Sequence, residues 1–251
     1  MTSLDDIAGL EKLAFNAWPA LRVAHVGDWL LRFSEGYTKR ANSVNALAPA
    51  RDTPAGEIEA RVARAEALYV RHGQPCVFRV SPLMDPAVDA LLAGRGWSRI
   101  DETVVMAAPL SDATMPAGVA VAEARDAVWS EGYMRFNGVP PARQAIHDRM
   151  LAAILSRAGY AIASDEEGAP VAFGLGVVEA NHVGLFDIVA DPSRRRAGHG
   201  LRVVNGILAW GRGHGATQAY LQVVATNAPA IALYERLGFV EAYRYHYRLP
   251  A

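Results

Sequence analysis

The amino-acid sequence contains an internal repeat, and this repeat limits the folds that the chain can adopt. When the first half is shifted by 142 residues, it falls on the second half without a gap. His72-Gly73 then falls on His214-Gly215, and Gly96-Trp97 falls on Gly238-Phe239. The same shift holds over a stretch of about forty residues, through a predicted helix, strand and helix. The sequence therefore predicts two copies of one fold in tandem.

Local patterns predict the elements of each copy. In the first half, Asp28 to Ser34 is typical of a strand, with Tyr37 to Leu47 as its hairpin partner. In the second half, a predicted hairpin is followed by alternating strands and helices. This order favours an α/β or α+β fold, with mostly antiparallel sheets flanked by helices. The linker-like composition of Pro109 to Gly118 places the domains at 1–110 and 118–251.

Composition excludes several classes of protein. The 251 residues carry a formal net charge of −1, which indicates no nucleic-acid or membrane partner. One cysteine and seven scattered histidines exclude an internal disulfide and provide no metal-ligand spacing, so no metal is expected. No leader and no apolar run approaching about 18 residues is present, which predicts a cytoplasmic protein.

A glycine-rich loop, Asp191 to Gly200, follows a predicted strand and opens a helix. Its Arg195-x-x-Gly198-x-Gly200 pattern removes side chains where a ligand must approach the backbone. The free N–H groups and dipole of a helix N-terminus favour phosphate. The alternative is a glycine-rich turn with a solvated arginine run. A Rossmann loop is disfavoured, because the full G-x-G-x-x-G pattern is missing.

A second motif runs from Leu221 to Phe239. Asn227 is a suitable N-cap for the helix, and Gly238 is suitable for ending it. Asn227 and Tyr234 are seven residues apart and therefore project from one helix face. Capping and packing alone would explain each residue, but not the spacing of this motif after the arginine–glycine loop.

Together the two motifs resemble the GNAT superfamily of N-acetyltransferases, over about 55 residues from Leu185 to Phe239. The resemblance implies a splayed sheet that holds acetyl-CoA as cosubstrate, with the pyrophosphate on the loop amides of Arg196 to Gly200. The residues implied to contact acetyl-CoA are Ile188, Val189, Ala190, Arg195, Arg196, Ala197, Gly198, His199, Gly200, Asn227, Ala230 and Tyr234.

The reaction implied by the resemblance needs a base and an acid. Tyr234 matches the family tyrosine and is the candidate acid that protonates the departing thiolate. Asp187 is the candidate base, directly or through a water, because a charged residue inside an apolar strand needs a reason. Pairing of Asp187 with a core arginine is the structural alternative. Glu179 on the neighbouring strand is the second candidate base.

Of the arginine–glycine loop, only Ala55-Gly56 remain in the first half at the shifted positions, where Thr53 replaces Arg195. Ile58 falls at the position of Gly200, Asp85 at that of Asn227, and Leu92 at that of Tyr234. We therefore expect the first half to be a degenerate copy that no longer binds CoA. This copy is expected to pack on the second half and to form one side of its substrate groove. Polar and aromatic residues that this copy offers to the groove are Trp18, Trp29, Arg32, Tyr37, Arg40 and Asn42.

The sequence thus predicts an acetyl-CoA-dependent N-acetyltransferase that acts as a monomer or homodimer. Its expected acceptor is a primary amine of a small or amino-acid-like molecule. The alternatives are a protein N-terminal or lysine acetyltransferase and a non-catalytic acyl-CoA sensor.

Overall fold

The computed structural model of the protein describes residues 2–50, 53–111, 113–194 and 196–250. The first half opens with a helix whose N-terminus is closed by a capping box between Ser3 and Asp6. Its elements are α1 (Leu4–Ala17), β1 (Arg22–Val26), β2 (Trp29–Phe33), β3 (Val44–Ala46), α2 (Ala55–Arg71), β4 (Phe78–Val80), α3 (Pro86–Gly94) and β5 (Ser98–Pro109).

The second half contains a longer hairpin than the first half. Its elements are β6 (Val119–Ala122), α4 (Ala127–Asn137), α5 (Gln144–Ala152), β7 (Arg157–Ser164), β8 (Pro170–Glu179), β9 (His182–Ala190), α6 (His199–Gly213), β10 (Gln218–Val224), α7 (Ala228–Arg236) and β11 (Val240–Leu249). The predicted mixed α/β sheet flanked by helices is confirmed.

The described strands form one continuous sheet in the order β1-β2-β3-β4-β11-β5-β10-β9-β8-β7-β6. Strand β3 is parallel to β4, and β9 is parallel to β10, while the other pairs are antiparallel. The last strand of each half lies against the other half: β11 pairs with β4, and β5 pairs with β10. Each half therefore completes its sheet with a strand of the other.

Helix ends repeat at the shift of 142 residues. Helix α3 ends with Gly96 at positive φ, and the N–H of Trp97 donates to the carbonyl of Leu92 at 3.0 Å. Helix α7 ends in the same way, with the N–H of Phe239 donating to the carbonyl of Tyr234 at 3.1 Å. Both ends are Schellman motifs, in which the left-handed position suits glycine. The two halves thus repeat in backbone detail as well as in sequence.

The predicted strand Tyr37 to Leu47 is largely wrong. Residues Lys39–Ala41 form a 3-10 turn, and only β3 pairs with β2. The amide of Asn42 explains the turn, because its oxygen accepts the N–H groups of Ser34 and Gly36 at 2.7 and 3.0 Å. Strand β1, which pairs with β2, was not predicted, because five residues with mixed exposure give no clear alternation.

The largest core cluster contains buried residues of both halves, and a second cluster packs α6 and α7 on the sheet. Across the described ranges, no helix has the length and apolarity required to cross a membrane.

Candidate functional site

An open groove separates β9 from β10 at the carboxyl end of their parallel pairing. The register runs from His182 opposite Gln218 to Leu185 opposite Leu221, and then stops. Beyond that point the strands diverge around a cavity of about 330 Å³. The lining comes from both strands, α6, α7 and one arginine of the first half: Arg40, Leu185, Phe186, Asp187, Ile188, Val204, Leu221, Gln222, Val223, Val224, Asn227, Ala230, Leu233 and Tyr234.

A bulge in β9 turns this strand away from β10. The β8–β9 register shifts between Phe173 and Leu175, so that Asp187 and Ile188 together oppose Gly174. Asp187 has a φ of 51°, in the left-handed region that non-glycine residues seldom adopt. The indole N–H of Trp129 donates to the Gly174 carbonyl at 3.0 Å and holds the bulge in place.

The Asp187 carboxylate has a fixed orientation at the groove. The Tyr133 hydroxyl donates to Oδ1 at 2.8 Å, and Nε2 of His147 lies 2.8 Å from Oδ2. The Asn137 amide in turn donates to the Tyr133 oxygen at 2.9 Å. Burial and the Asp187 charge raise the pKa of Tyr133 far above its ordinary value, so that this hydroxyl stays a donor. The partners of Asp187 are therefore a histidine and a tyrosine, rather than the core arginine of the structural alternative.

His147 is completely buried in a box of aromatic rings from both halves. Tyr133 stacks on it from α4 at 5.0 Å between ring centroids. Trp18 and Tyr37 of the first half approach it at 5.8 and 5.5 Å. Aromatic side chains of the first half therefore hold the His147 ring in place, and this ring in turn orients the Asp187 carboxylate.

Tyr234 lines the opposite side of the groove, on α7. Its side chain is 8% exposed, and its ring packs edge-on against Phe239 at 5.9 Å. Burial raises the pKa of Tyr234 to about 12, although the nearby Arg40 charge opposes the shift. The hydroxyl therefore keeps its proton at neutral pH.

The glycine-rich loop leads into α6. Gly198 is the N-cap at a φ of 78°, and a Cβ added at Gly198 or Gly200 would meet no atom within 4 Å. The first N–H groups of a helix have no partner in the preceding turn. This end of α6 therefore offers donors beside open space. Arg195, which the motif also singles out, lies outside the described residues.

Of the other predicted contact residues, some line the groove and others do not. Asn227 lines it and caps α7, with its side chain accepting the N–H of Ala230 at 3.3 Å. Val189 and Ala190 oppose Phe173 and Ala172 on β8 and are not among the groove-lining residues.

The second candidate base, Glu179, lies at the far end of strand β8 from Gly174. It opposes His182, five positions from Gly174, which is about 17 Å of strand. Asn16 and Ser156 donate to its two oxygens at 2.8 and 2.9 Å. Glu179 is therefore outside the groove that contains Asp187 and Tyr234.

Residues that the sequence offered from the first half have different roles. Trp18 and Tyr37 pack on His147, and Arg40 lines the groove and donates to the Gln222 carbonyl at 3.3 Å. Arg32 is buried and donates to main-chain carbonyls that include that of Arg40, at 2.6 Å. The remaining two residues, Trp29 and Asn42, are structural: Trp29 packs on Phe78, and Asn42 forms the turn described above.

Neither Tyr133 nor His147 belongs to a motif that can be identified in the sequence. A weak signal was present in α5, where His147 occupies the buried face of the helix with Met150 and Leu151. A histidine at a core position needs a polar partner, but the partner is 40 residues away in sequence.

The fold is that of GNAT acetyltransferases. A GCN5-related N-acetyltransferase from Kribbella flavida superposes with a TM-score of 0.70, at 17% identity, over 100% of this chain and 96% of that chain. A tandem GNAT protein from the clavulanic acid biosynthesis pathway superposes with a TM-score of 0.65, at 16% identity, over 96% of this chain and 86% of that chain. At these identities the likeness shows the fold alone.

The sequence comparisons place the chain within this superfamily. It belongs to the family described as "Probable histone acetyltransferase Rv0428c C-terminal", whose model matches residues 4–248. It is 28% identical over 252 residues to the "Uncharacterized N-acetyltransferase YobR" of Bacillus subtilis strain 168, covering 98% of this chain and 99% of that protein. The match therefore includes both halves of the chain.

A shorter match is to the ribosomal protein bS18-alanine N-acetyltransferase of Escherichia coli K12. The two are 38% identical over 77 residues, which is 31% of this chain and 52% of that enzyme. The match spans about half the length of that enzyme. The protein is thus an acetyltransferase of the GNAT type.

Proposed function

We propose that this protein transfers the acetyl group of acetyl-CoA to a primary amine of a small or amino-acid-like acceptor, by direct attack in a ternary complex. The observation that carries the proposal is the groove in which Asp187 and Tyr234 line the same open space between β9 and β10. Family membership supports N-acetyl transfer.

The residues present fit acetyl-CoA. The open space beside Gly198 and Gly200, at the N-terminus of a 15-residue helix, suits a pyrophosphate. The predicted contacts from Arg196 to Gly200, Ile188 to Ala190, Asn227 and Ala230 belong to this proposal, and so does Arg195. When bound, acetyl-CoA supplies an acyl group activated as a thioester.

Protein groups on both sides of the groove supply the proton transfers. Asp187 takes a proton from the acceptor amine, directly or through a water, while Tyr133 and His147 hold its carboxylate. Tyr234 donates its proton to the leaving thiolate. Beyond Leu185, β9 has no partner on β10, so the N–H groups on that side of β9 face the groove and can stabilise an oxyanion.

A second candidate acceptor is a protein N-terminus. The observation that favours it is the match to an enzyme named for N-acetylation of the alanine of a ribosomal protein. A non-catalytic acyl-CoA sensor is the third candidate, and Tyr234 argues against it, because a binder needs no thiolate acid.

The test is thiol release from acetyl-CoA across a panel of polyamines, amino acids and two peptides, one with an N-terminal alanine and one with an internal lysine. Turnover of small amines is the expected result. Preference for the alanine peptide would replace the acceptor class, and tight acetyl-CoA binding without turnover of any member would favour the sensor.

The base is tested with a matched pair of carboxylates. Asp187→Asn keeps the shape of the side chain and should lower kcat/KM about 100-fold. Glu179→Gln removes a carboxylate that also has two hydrogen-bond donors, but outside the groove, and should leave kcat/KM unchanged. A loss of kcat/KM in Glu179→Gln but not in Asp187→Asn would assign the base to Glu179. If both variants kept their activity, neither carboxylate would be the base.

A further inference from the structure

A small cavity lies between the two halves, next to the groove. Its volume is about 10 Å³. Its walls include three arginines and three aromatic residues: Arg32, Arg40, Arg79, Phe15, Trp18 and Phe186. Arg40 and Phe186 also line the groove, so the cavity and the groove are neighbours.

The positive charge around this cavity exceeds the negative charge. Arg79 is paired with Glu11, which also accepts the hydroxyl of Tyr243. The Arg32 guanidinium donates only to main-chain carbonyls among its recorded partners. Arg40 donates to the Tyr245 oxygen at 3.2 Å and to a main-chain carbonyl. In the part of the chain that the structure describes, three guanidinium groups thus meet at this cavity with one carboxylate beside them.

One of these groups has an unsatisfied donor. Arg79 is 3% exposed, and its Nη2 is buried without a hydrogen-bond partner among the described residues. A buried charged donor without an acceptor is costly, and native proteins place an ion or a water at such sites. The guanidinium also lies over the ring of Tyr245, 3.6 Å from its centroid, but this contact leaves Nη2 without a hydrogen-bond acceptor. We take the unpaired Nη2 as evidence for an occupant of the cavity that Arg79 lines.

A second cavity in the first half provides a comparison. It also measures about 10 Å³ and also contains an arginine, Arg61. Its lining includes two carboxylates, Asp28 and Asp85, and Asp28 forms an ion pair with Arg61. The cavity near Arg79 has the same size, but no carboxylate lines it.

The chemistry of the lining favours an anion over a water. About 10 Å³ admits roughly one water-sized occupant. A water must also find acceptors for its two hydrogens, whereas the charged groups that line the cavity, Arg32, Arg40 and Arg79, are donors only. An anion needs donors only. Burial and, to a smaller extent, the Arg79 charge lower the pKa of Arg32 to about 10. Despite burial, the pKa of Arg79 is raised instead, because Glu11 and neighbouring tyrosines stabilise its charge.

We propose that this arginine-lined cavity binds one small monovalent anion, supplied either as a free halide or as a carboxylate oxygen of the acceptor. The second source rests on the proposed function, whereas the site itself does not. The guanidinium groups of Arg32, Arg40 and Arg79 would surround the anion, next to the groove in which Asp187 lies.

The direct test uses bromide as the probe. Crystals of the unmodified protein are soaked in sodium bromide, and anomalous differences are measured at the bromine edge. A peak in the cavity beside Nη2 of Arg79 is expected. Absence of a peak there overturns the proposal, whatever sites bromide occupies on the surface.

Solution binding is tested by thermal unfolding in sodium chloride or bromide, with ionic strength balanced by gluconate, which is too large for the cavity. A saturable rise in Tm is expected, because binding to the folded state stabilises it. Arg79→Lys keeps a charge for Glu11 but removes Nη2, and should abolish the rise. Arg61→Lys, in the cavity with carboxylates, should retain it. Equal responses of both variants and the unmodified protein would overturn the proposal.

The source of the anion is found by kinetics with an acceptor acid and its carboxamide. If the acceptor carboxylate fills the cavity, chloride competes with the acid but not with the amide, and the amide loses at least tenfold in kcat/KM. If a free halide resides there, chloride does not compete with either acceptor. The crystallographic and thermal results stand even if no acceptor is turned over, so failure of the site and failure of the proposed function are distinguishable.

Discussion

The strands and helices from β1 to β5 and from β7 to β11 follow one another in the same order. Among the described residues, however, only the second series has a groove of about 330 Å³ at the equivalent strand–helix junction. Shifted by 142 residues, the small cavity lined by Ile58, Asp85 and Val88 corresponds to the positions of Gly200, Asn227 and Ala230. Its volume is about 10 Å³, against about 330 Å³ in the second half. The same order of strands and helices is therefore compatible with either an open groove or a nearly filled one.

Side chains account for the difference. In the first half, the guanidinium of Arg61 lies over the ring of Trp29 at 4.3 Å, and Ile58 is completely packed beside them. Strand β3 has only three residues and forms one recorded pair with β4, Val44 with Phe78. In the second half, Gly200 stands where the first half has Ile58, and together with the bulge in β9 it leaves the corresponding space open. The comparison supports a first half that no longer binds acetyl-CoA, and the following predictions test it.

The largest effect is expected at the start of the two equivalent helices. Gly198→Glu places a carboxylate where the pyrophosphate is proposed to bind, and should weaken acetyl-CoA binding about 1000-fold, since like charges in contact cost several kcal/mol. Gly56→Glu, at the shifted position on α2, should leave the Kd unchanged. Isothermal titration calorimetry measures both.

A control for backbone strain is Gly198→Asn, because asparagine tolerates positive φ. It should retain most of the affinity. If Gly198→Glu bound acetyl-CoA with the Kd of the unmodified protein, the start of α6 would not be part of the acetyl-CoA site.

Tyr234→Phe should lower kcat about 100-fold, with little change in the Kd of acetyl-CoA, because only the proton donor is lost. The corresponding residue of the first half, Leu92, has no proton to donate. The matched control is Tyr220→Phe, which removes the hydroxyl of a buried tyrosine on β10 that does not line the groove. Equal kcat values for both variants would exclude Tyr234 as the acid.

Trp29→Ala tests whether the bulky side chain of Trp29 is sufficient to prevent acetyl-CoA from binding in the first half. Truncation of this buried ring should cost about 3–5 kcal/mol in the free energy of unfolding, measured by denaturant titration. Acetyl-CoA should still bind with a stoichiometry of one, because Ile58 and Asp85 remain at the equivalent positions. A second bound equivalent would show that the first half retains a latent site.

The smallest effect is expected from pH. Burial disfavours the phenolate of Tyr234 and raises its pKa to about 12, so the acid form is present below that value and is lost only as pH rises through it. Therefore kcat should show no loss from Tyr234 up to about pH 10.5, where a tyrosine with an ordinary pKa of about 10 would be mostly ionised. A fall in kcat centred near pH 10, absent from the residual activity of Tyr234→Phe, would contradict this.

Much of the fold was predictable because its signals are local. Asn227 and Gly238 occupy the caps that their side-chain chemistry favours, and helix α3 has the length of α7 at the predicted shift. The placement of Asp187 and Tyr234 on one groove follows from motif spacing together with a family resemblance. Their catalytic roles stay predictions, as do the domain limits 1–110 and 118–251.

The amino-acid sequence was sufficient to predict the repeat, the type of most elements and the absence of most motif residues from the first half. The tertiary structure alone decided that the halves exchange their last strands, that His147 and Tyr133 hold Asp187, and that three arginines meet at one cavity. The difference arises from the sequence separation over which the interactions act. Caps and periodicity act within a few residues, whereas Asp187 meets partners 40 and 54 residues away, and Arg40 meets Tyr245 across 205 residues. Such contacts follow from the packing of the whole chain.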